Sequence, residues 1–223
     1  PWGSLTGIRP TRLLRELIER EGEGEALRMM AEDFDVAPEK LALARAICQA
    51  QAPILASLGE QDADVYVNIP FCPTKCLYCS FPSKVRTARD DMAAYLASLE
   101  RDIALGAEIL HEGGRRVRAI YIGGGTPTVL TAEELTRLFA ALHENYGGFL
   151  GEFTVEAGRP DTITKEKLAV MRACGVTRIS VNPQSMNEQT LLRIGRSHGA
   201  EDTRRAFWMA READFSNINM DVI

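Results

Sequence analysis

The spacing of apolar residues changes near residue 60 of this 223-residue chain. Before that point apolar residues recur every three or four positions, which is the period of an amphipathic helix. After it, short runs rich in Val and Ile alternate with stretches of helical period. This alternation is typical of a parallel sheet with right-handed crossovers. The pattern therefore predicts a helical N-terminal segment over 1–60 and an α/β domain over 61–223, joined by a polar linker.

The N-terminal segment is predicted to contain two helices. Thr11 can cap the first helix, whose apolar face includes Leu14. The stretch 21–25 contains two glycines and is predicted to be a solvated turn. The second helix should begin near Pro38, because proline suits a first helical turn, and Pro53 should end or kink it.

Five apolar runs predict the strands of the α/β domain. These runs are 65–70, 118–122, 153–157, 178–182 and 218–223. Between them lie helical stretches with predicted caps at Thr87 and Thr131, a helix from Thr164 that ends at Gly175, a short helix opened by Ser185, and a longer helix over 200–213. The fifth run stops with the chain itself, so we expect the sequence to be a trimmed part of a longer one.

Composition argues against several functional classes. Hydrophobic residues make up 45% of the chain, which is enough for a substantial core. The net charge is -5, and no basic tract indicates binding to nucleic acid. No apolar run reaches membrane-spanning length, and the N-terminus lacks the pattern of a signal peptide. Unpaired cysteines suit a reducing compartment, so we expect a cytoplasmic protein.

Three of the five cysteines lie on one short loop after the first predicted strand. Cys72, Cys76 and Cys79 have the spacing C-x3-C-x2-C, which leaves one coordination position of a bound metal centre open for chemistry. A structural zinc ion would need a fourth ligand, and His111 is remote in sequence. A disulfide would leave an odd thiol. With chance clustering in a core as the remaining alternative, the spacing favours an iron–sulfur cluster.

Two further features fall in or after predicted strands. The glycines 123–125 follow the second strand and would let the backbone approach a ligand closely, although alone they could form an ordinary turn. Glu156 lies in an otherwise apolar strand and needs a polar partner, either a ligand or a core arginine. Cys48 and Cys174 are interpreted as small core residues, and the three histidines as surface or capping residues.

These stretches resemble the radical S-adenosylmethionine (radical SAM) superfamily, whose signature is a C-x3-C-x2-C loop after a first strand. The segment 123–127, GGGTP, resembles the methionine-binding motif of that superfamily. The segments YVNIPFC, YIGGGTPT, TVEAGRPD and RISVNPQS are similar to the oxygen-independent coproporphyrinogen III oxidase (dehydrogenase) family. GIRPTRLLREL and EAGRPDTIT most resemble its HemZ-type branch. The resemblance covers nearly the whole chain and implies a partial (β/α)6 barrel, of which five strands are present.

The resemblance also implies two cofactors, a [4Fe-4S] cluster and S-adenosylmethionine. Cys72, Cys76 and Cys79 would each bind one iron, and the fourth iron would take the methionine half of S-adenosylmethionine. Further positions expected to bind this cofactor are Tyr66, Tyr78, Gly124, Gly125, Thr126, Glu156, Gln184, Arg196 and Asp221. Tyr78 is included as an aromatic cover of the cysteine loop. Tyr66 as a core tyrosine and Asp221 as an ordinary strand-end acid remain alternatives.

The implied reaction is the oxygen-independent oxidative decarboxylation of two propionates of coproporphyrinogen III to vinyl groups, with an external electron donor and acceptor. Such a tetrapyrrole is a polyanion, so nearby cations are candidate contacts, with a solvated charged surface as the alternative. These candidates are Arg9, Arg12, Lys84, Arg86 and Arg89.

One residue departs from the pattern of that reaction. Phe81 stands where the coproporphyrinogen-oxidising branch carries a further cysteine. A C-x-F ending also occurs in the branch that resembles heme chaperones. Two other functions therefore stay open, a radical-SAM-fold heme chaperone and a radical SAM enzyme with another substrate.

Overall fold

The computed structural model describes residues 1–7, 9–147 and 151–222. The chain forms two compact units, Pro1–Glu60 and Gln61–Ile223. The helices are α1 (Pro10–Glu21), α2 (Glu23–Glu32), α3 (Pro38–Ala56), α4 (Met92–Glu112), α5 (Ala132–Tyr146), α6 (Lys165–Ala173), α7 (Glu188–Arg193) and α8 (Ala200–Glu212). The strands are β1 (Asp62–Ile69), β2 (Phe71–Cys72), β3 (Lys84–Val85), β4 (Arg116–Gly124), β5 (Phe153–Gly158), β6 (Arg178–Val181) and β7 (Asn217–Asn219).

The N-terminal unit is built from α1, α2 and α3 around a small core of its own. The fully or nearly buried side chains of this core are Leu14, Leu17, Ala26, Met30, Val36 and Ala44.

None of the helices in the described ranges is both long and apolar enough to cross a membrane.

Three predictions for the N-terminal unit were wrong. Helix α1 begins at Pro10, not after a Thr11 cap, because the fixed φ of proline already suits the first turn. The predicted turn shrinks to Gly22 at φ +83°, after which α2 starts at once. Helix α3 does not end at Pro53 but continues to Ala56, although proline removes the helical hydrogen bond that its N–H would make; the alternative, a kink at Pro53, stays a prediction.

The second unit is an α/β fold with one five-stranded parallel sheet, as the sequence predicted. The strand order is β1-β4-β5-β6-β7, so the carboxyl ends of all five strands lie at one edge. Aromatic side chains such as Phe139, Phe153 and Phe215 are buried in its core.

The fifth strand is shorter than predicted. It pairs with β6 only over Asn217–Asn219, and a single bridge then joins Val222 to Gln184. Ile223, the last residue of the predicted run, lies outside the described residues. The backbone N–H of Gln184 donates to the carbonyl of Asp221 (3.0 Å), which keeps the end of the chain beside the segment that follows β6.

Four helices in this unit begin at a residue whose side chain accepts a hydrogen bond from a backbone N–H of the first turn. The box formed by Thr131 and Glu134 caps α5, as predicted. Thr164 caps α6, where the sequence predicted that this helix begins. At α4 the cap is Asp91 rather than Thr87, and at α7 it is Asn187 rather than Ser185. In both places a short carboxylate or amide next to the helix takes the capping position.

A second, two-stranded parallel sheet was not predicted from the sequence. Strand β2 pairs with β3, which sets Cys72 opposite Val85. The backbone N–H of Lys84 donates to the carbonyl of Pro70, and the N–H of Arg86 donates to that of Cys72, each at 2.9 Å. These bonds close the segment 73–83 into a loop that carries the other two cysteines of the motif.

Candidate cofactor site

A cavity of about 290 Å³ lies at the carboxyl-end edge of the five-stranded sheet. All twelve residues that the sequence analysis proposed for the two cofactors line it. They come from β1, the cysteine loop, the end of β4, the middle of β5, and the segments after β6, α7 and β7. The structure thus brings together side chains that are up to 155 positions apart in sequence, from Tyr66 to Asp221.

The three motif cysteines are free thiols at one side of this cavity. Cys72 and Cys76 are buried and Cys79 is half-buried. The hydroxyl of Thr126 lies 3.5 Å from Cys72 Sγ. Within the described ranges, no three His, Cys, Asp or Glu side chains converge as the ligands of a single metal ion. Thiolates that each bind a different iron of a cluster need no such convergence.

The glycine turn after β4 packs directly on the cysteine strand. Gly124 has φ +107°, and a Cβ atom at Gly125 would lie 2.5 Å from the carbonyl oxygen of Phe71 and 2.9 Å from Cys72 Sγ. The N–H groups of Gly125 and Thr126 donate to Ile69 and Phe71 carbonyls at 2.8 and 2.7 Å. Only a residue without a side chain fits here, so the glycines bring the backbone of the turn to the cavity wall.

One side of the cavity is acidic. The Tyr121 hydroxyl donates to Glu156 Oε1 at 2.6 Å, so the partner of Glu156 is a tyrosine rather than a core arginine. Burial raises the pKa of Glu156, and the charge of Asp221 raises it further, while the bond from Tyr121 opposes the shift. Tyr66 stacks on Tyr121 with a ring separation of 5.9 Å. Two carboxyl groups in one cavity favour a positively charged ligand.

Arg196 and Gln184 lie elsewhere on the same cavity wall. Arg196 Nη2 donates to the Tyr78 hydroxyl at 3.0 Å, but its Nε and Nη1 are buried without a hydrogen-bond partner. Buried donors of this kind are costly unless a ligand accepts from them. Gln184 is buried with φ +64°, a backbone conformation that side chains rarely adopt and that often marks functional sites. The donor set therefore fits a ligand that carries both charges.

The sequence analysis missed one charged residue of the cavity. Arg159 is the first residue after β5 and is only 2% exposed. Its Nη2 lies 3.0 Å from Cys76 Sγ, and both terminal nitrogens bind Thr74. The available signal was an arginine immediately after the buried central strand, at the edge where parallel α/β proteins bind ligands.

Most cations proposed for substrate carboxylates already have partners. Arg86 donates bidentately to Glu134 at 2.8 Å for each bond, and therefore holds α5 in place. Lys84 pairs with Asp90, and Arg12 with Glu16 at 2.7 Å. For Arg9 and Arg89 no ion pair occurs with any of the described side chains.

Cys48 and Cys174 have structural surroundings. The Cys48 thiol donates to the carbonyl of Thr11 at 3.2 Å, and Cys174 packs against the core of the second unit. Burial raises the pKa of both thiols, which keeps them protonated and unreactive. Of the histidines, His198 is buried rather than at the surface; its Nε2 lies 3.2 Å from the carbonyl of Pro183.

Residues 66–223 match the radical SAM superfamily. The chain therefore belongs to the radical SAM superfamily, and the cofactors of this class are a [4Fe-4S] cluster and S-adenosylmethionine. The resemblance inferred from the cysteine loop and the glycine turn is confirmed.

Two curated relatives with different described functions match the chain. Over 228 residues the chain is 40% identical to "oxygen-independent coproporphyrinogen-III oxidase-like protein HemZ" of Bacillus subtilis (strain 168), a match that spans 100% of this chain and 46% of the relative. It is 36% identical over 160 residues to heme chaperone HemW of the same organism, which covers 71% of this chain and 41% of the relative. The chain thus spans about half the length of the curated relatives it matches.

A solved structure shows the same fold. The coproporphyrinogen III oxidase HemN from Escherichia coli, a radical SAM enzyme, superposes with a TM-score of 0.66. The match has 31% identity and covers 78% of this chain and 40% of that chain. The α/β fold predicted from the sequence is therefore confirmed at the level of a solved relative.

Proposed function

We propose that this chain belongs to an enzyme that oxidatively decarboxylates two propionates of coproporphyrinogen III to vinyl groups, giving protoporphyrinogen IX without oxygen. The observation that carries the proposal is the extent of the similarity to the coproporphyrinogen oxidase-like protein. That match runs along the entire chain and includes the N-terminal unit, at 40% identity. The match to the heme chaperone covers 71% of the chain.

Cys72, Cys76 and Cys79 are the proposed ligands of the cluster. When bound, the cluster and S-adenosylmethionine supply a radical that can remove a hydrogen atom from an unactivated carbon. The protein holds the cysteine loop through the β2–β3 pairing and through the contact of Gly125 with Phe71. A loop fixed at both ends keeps the thiols in position before the cluster binds, which reduces the ordering cost of binding.

The polar side chains of the cavity are proposed to bind S-adenosylmethionine by charge complementarity. Glu156 and Asp221 would receive its positively charged groups, which would offset the two effects that raise the pKa of Glu156, its burial and the charge of Asp221. Arg196 would receive the carboxylate through its two unpaired nitrogens. Tyr121 orients the Glu156 carboxylate, because its hydroxyl donates to one oxygen at 2.6 Å and leaves the other for the ligand.

The substrate is proposed to be a tetrapyrrole whose carboxylates meet cations near the cysteine loop. Arg89 is the strongest of the earlier candidates in this unit, since Arg86 is held bidentately by Glu134. In the proposed reaction an external donor would supply the electron that the cluster needs, and each propionate would lose a hydrogen atom, CO2 and one further electron, which an external acceptor would take.

A heme chaperone is the second candidate, and Phe81 is the observation that favours it. This side chain lines the cavity and is 65% exposed. It stands where a further cysteine is expected in the coproporphyrinogen-oxidising branch. A large exposed aromatic ring provides apolar surface for a porphyrin face.

The test is an anaerobic assay of the reconstituted full-length protein with coproporphyrinogen III, S-adenosylmethionine, a reductant and an electron acceptor. We expect porphyrins with vinyl groups on chromatography and 5′-deoxyadenosine in proportion to the propionates lost. The matched control is Cys76→Ala, which should give neither product. Tight binding of heme without vinyl product, where a known dehydrogenase turns over, would favour the chaperone.

A further inference from the structure

Arg159 is a buried cation without a carboxylate partner. The residue is 2% exposed, and its guanidinium stays charged in proteins. Among the side chains that the structure describes, no carboxylate lies within ion-pair distance of it; the salt bridges involve other arginines. A buried charge that lacks a counter-charge is strongly unfavourable. The fold therefore requires a negative group close to Arg159.

The contacts of the guanidinium show where that group lies. Nη1 donates to the Thr74 hydroxyl at 2.5 Å, and Nη2 donates to the Thr74 carbonyl at 2.7 Å. Nη2 also lies 3.0 Å from Cys76 Sγ, in a contact between buried atoms. The fork on Thr74 fixes the plane of the guanidinium, so the N–H aimed at the sulfur is held in place.

The backbone of Arg159 is held as firmly as its side chain. Gly158 has φ +59°, which turns the chain out of β5. The N–H of Arg159 donates to the carbonyl of Ala157 at 2.7 Å. Its own carbonyl accepts from the Thr162 N–H at 3.0 Å and from the Thr162 hydroxyl at 2.8 Å. Both ends of the residue are therefore fixed relative to the sheet.

We propose that Arg159 is a positioning residue that donates a hydrogen bond to the Cys76 thiolate and sets the reduction potential of the cluster. The inference rests on the proposed role of Cys76 as a cluster ligand. Three thiolates outweigh the positive charge of an oxidised four-iron core, so the loaded loop is the anion that Arg159 lacks. Reduction adds a further negative charge. A hydrogen bond to sulfur and a nearby cation stabilise the reduced form more than the oxidised form, which raises the potential.

The experiment compares cluster potentials, measured by anaerobic redox titration of the reconstituted protein without substrate. In Arg159→Met we expect the reduced-to-oxidised ratio at a fixed ambient potential to fall at least tenfold, which is a shift of about 59 mV to more negative values. Arg159→Lys keeps the charge and should fall between wild type and the methionine variant. Arg137→Met is the matched control; it removes an arginine whose partner is Glu100 and should leave the potential unchanged.

Three results would overturn the inference. One is a methionine variant whose intact cluster has the wild-type potential. Another is an equal shift in the lysine and methionine variants, which would trace the effect to lost packing rather than to charge. The third is loss of the cluster from both Arg159 variants, which would make the residue an assembly residue. A wild-type chain that binds no cluster would instead contradict the ligand role of Cys76 itself.

Discussion

At the scale of single residues, position at the cavity separates the three cysteines proposed as cluster ligands from the other two. Cys72, Cys76 and Cys79 line the cavity, whereas Cys48 and Cys174 pack against other core residues. We expect replacement of any cavity cysteine by alanine to abolish the four-iron absorption after anaerobic reconstitution. Cys48→Ala and Cys174→Ala are the controls and should retain it. A Cys76→Ala chain with a normal cluster would contradict the proposed ligand set.

Glu156 is predicted to lower the stability of the cofactor-free protein at neutral pH. Because its pKa is raised in the folded state, the folded protein holds a proton that the unfolded chain has lost over the window between the two pKa values. Stability therefore falls as the pH rises through this window. We expect Glu156→Gln, which is neutral at every pH, to raise the melting temperature of the cofactor-free protein at neutral pH by about 2–4 °C.

The same substitution should weaken binding of S-adenosylmethionine by about tenfold, or about 1.4 kcal/mol, because a neutral amide no longer attracts a positive group. Thermal unfolding at neutral pH and below the unfolded pKa tests the first effect, since the difference should vanish at low pH. Equilibrium dialysis tests the second effect. The exposed Glu212, which pairs with Lys165, gives the control variant Glu212→Gln, with neither effect expected. If Glu156→Gln had the melting temperature of the wild type at neutral pH, the predicted destabilisation by the Glu156 carboxylate would be wrong.

At the scale of elements, the glycine turn after β4 and the cysteine strand β2 act as one unit. A Cβ atom at Gly125 would overlap the Phe71 carbonyl and approach Cys72 Sγ at 2.9 Å. We expect Gly125→Ala to destabilise the fold by about 1–3 kcal/mol, the usual cost of overpacking. It should also lower the iron content after reconstitution, because the cysteine loop must move to make room.

The control for this substitution is Gly24→Ala. Gly24 lies inside α2 with nothing within 4 Å of the position a Cβ atom would take. Alanine there should stabilise the helix by about 0.5–1 kcal/mol and leave the iron content at the wild-type level. Thermal unfolding and iron analysis of both variants are the measurements. Equal iron content in the two variants would show that the loop tolerates the displacement.

At the scale of the whole molecule, the two compact units have cores that share no described residue. Leu14 and Ile122 are both fully buried, one in each core, and replacement by alanine should cost about 2–5 kcal/mol at either site. We expect Leu14→Ala to reduce amide protection only within 1–60 and to leave cluster binding intact. Ile122→Ala should reduce protection in the sheet and lower cluster occupancy.

Hydrogen exchange followed by mass spectrometry would map the protection, and iron analysis would give the occupancy. The comparison is internal, because each variant serves as the control for the other unit. If Leu14→Ala lost the cluster as readily as Ile122→Ala, the N-terminal unit would be required for the cofactor site. The N-terminal unit, which the match to the coproporphyrinogen oxidase-like relative includes, would then have a role in cluster binding.

The sequence alone determined the features that depend on short-range order. The alternation of apolar runs and helical stretches predicted the parallel sheet, and the spacing of three cysteines predicted the class of cofactor. The cap at Thr131 was found because a capping side chain acts on backbone only three residues away. At Thr87 the same reasoning failed, since Asp91 lies closer to the helix and a local pattern does not rank competing caps.

Only the tertiary structure decided which distant residues meet. Arg159 and Cys76 are 83 positions apart, and Arg86 takes Glu134, 48 positions away, as its partner. The spacing of apolar residues does not predict such pairings. They depend on how the crossovers arrange the strand ends and on which carboxylates lie near each cation in the folded chain. For the same reason the short β2–β3 sheet and the early end of β7 escaped prediction. Burial and charge pairing are properties of the assembled fold, whereas apolar period and capping are properties of the chain.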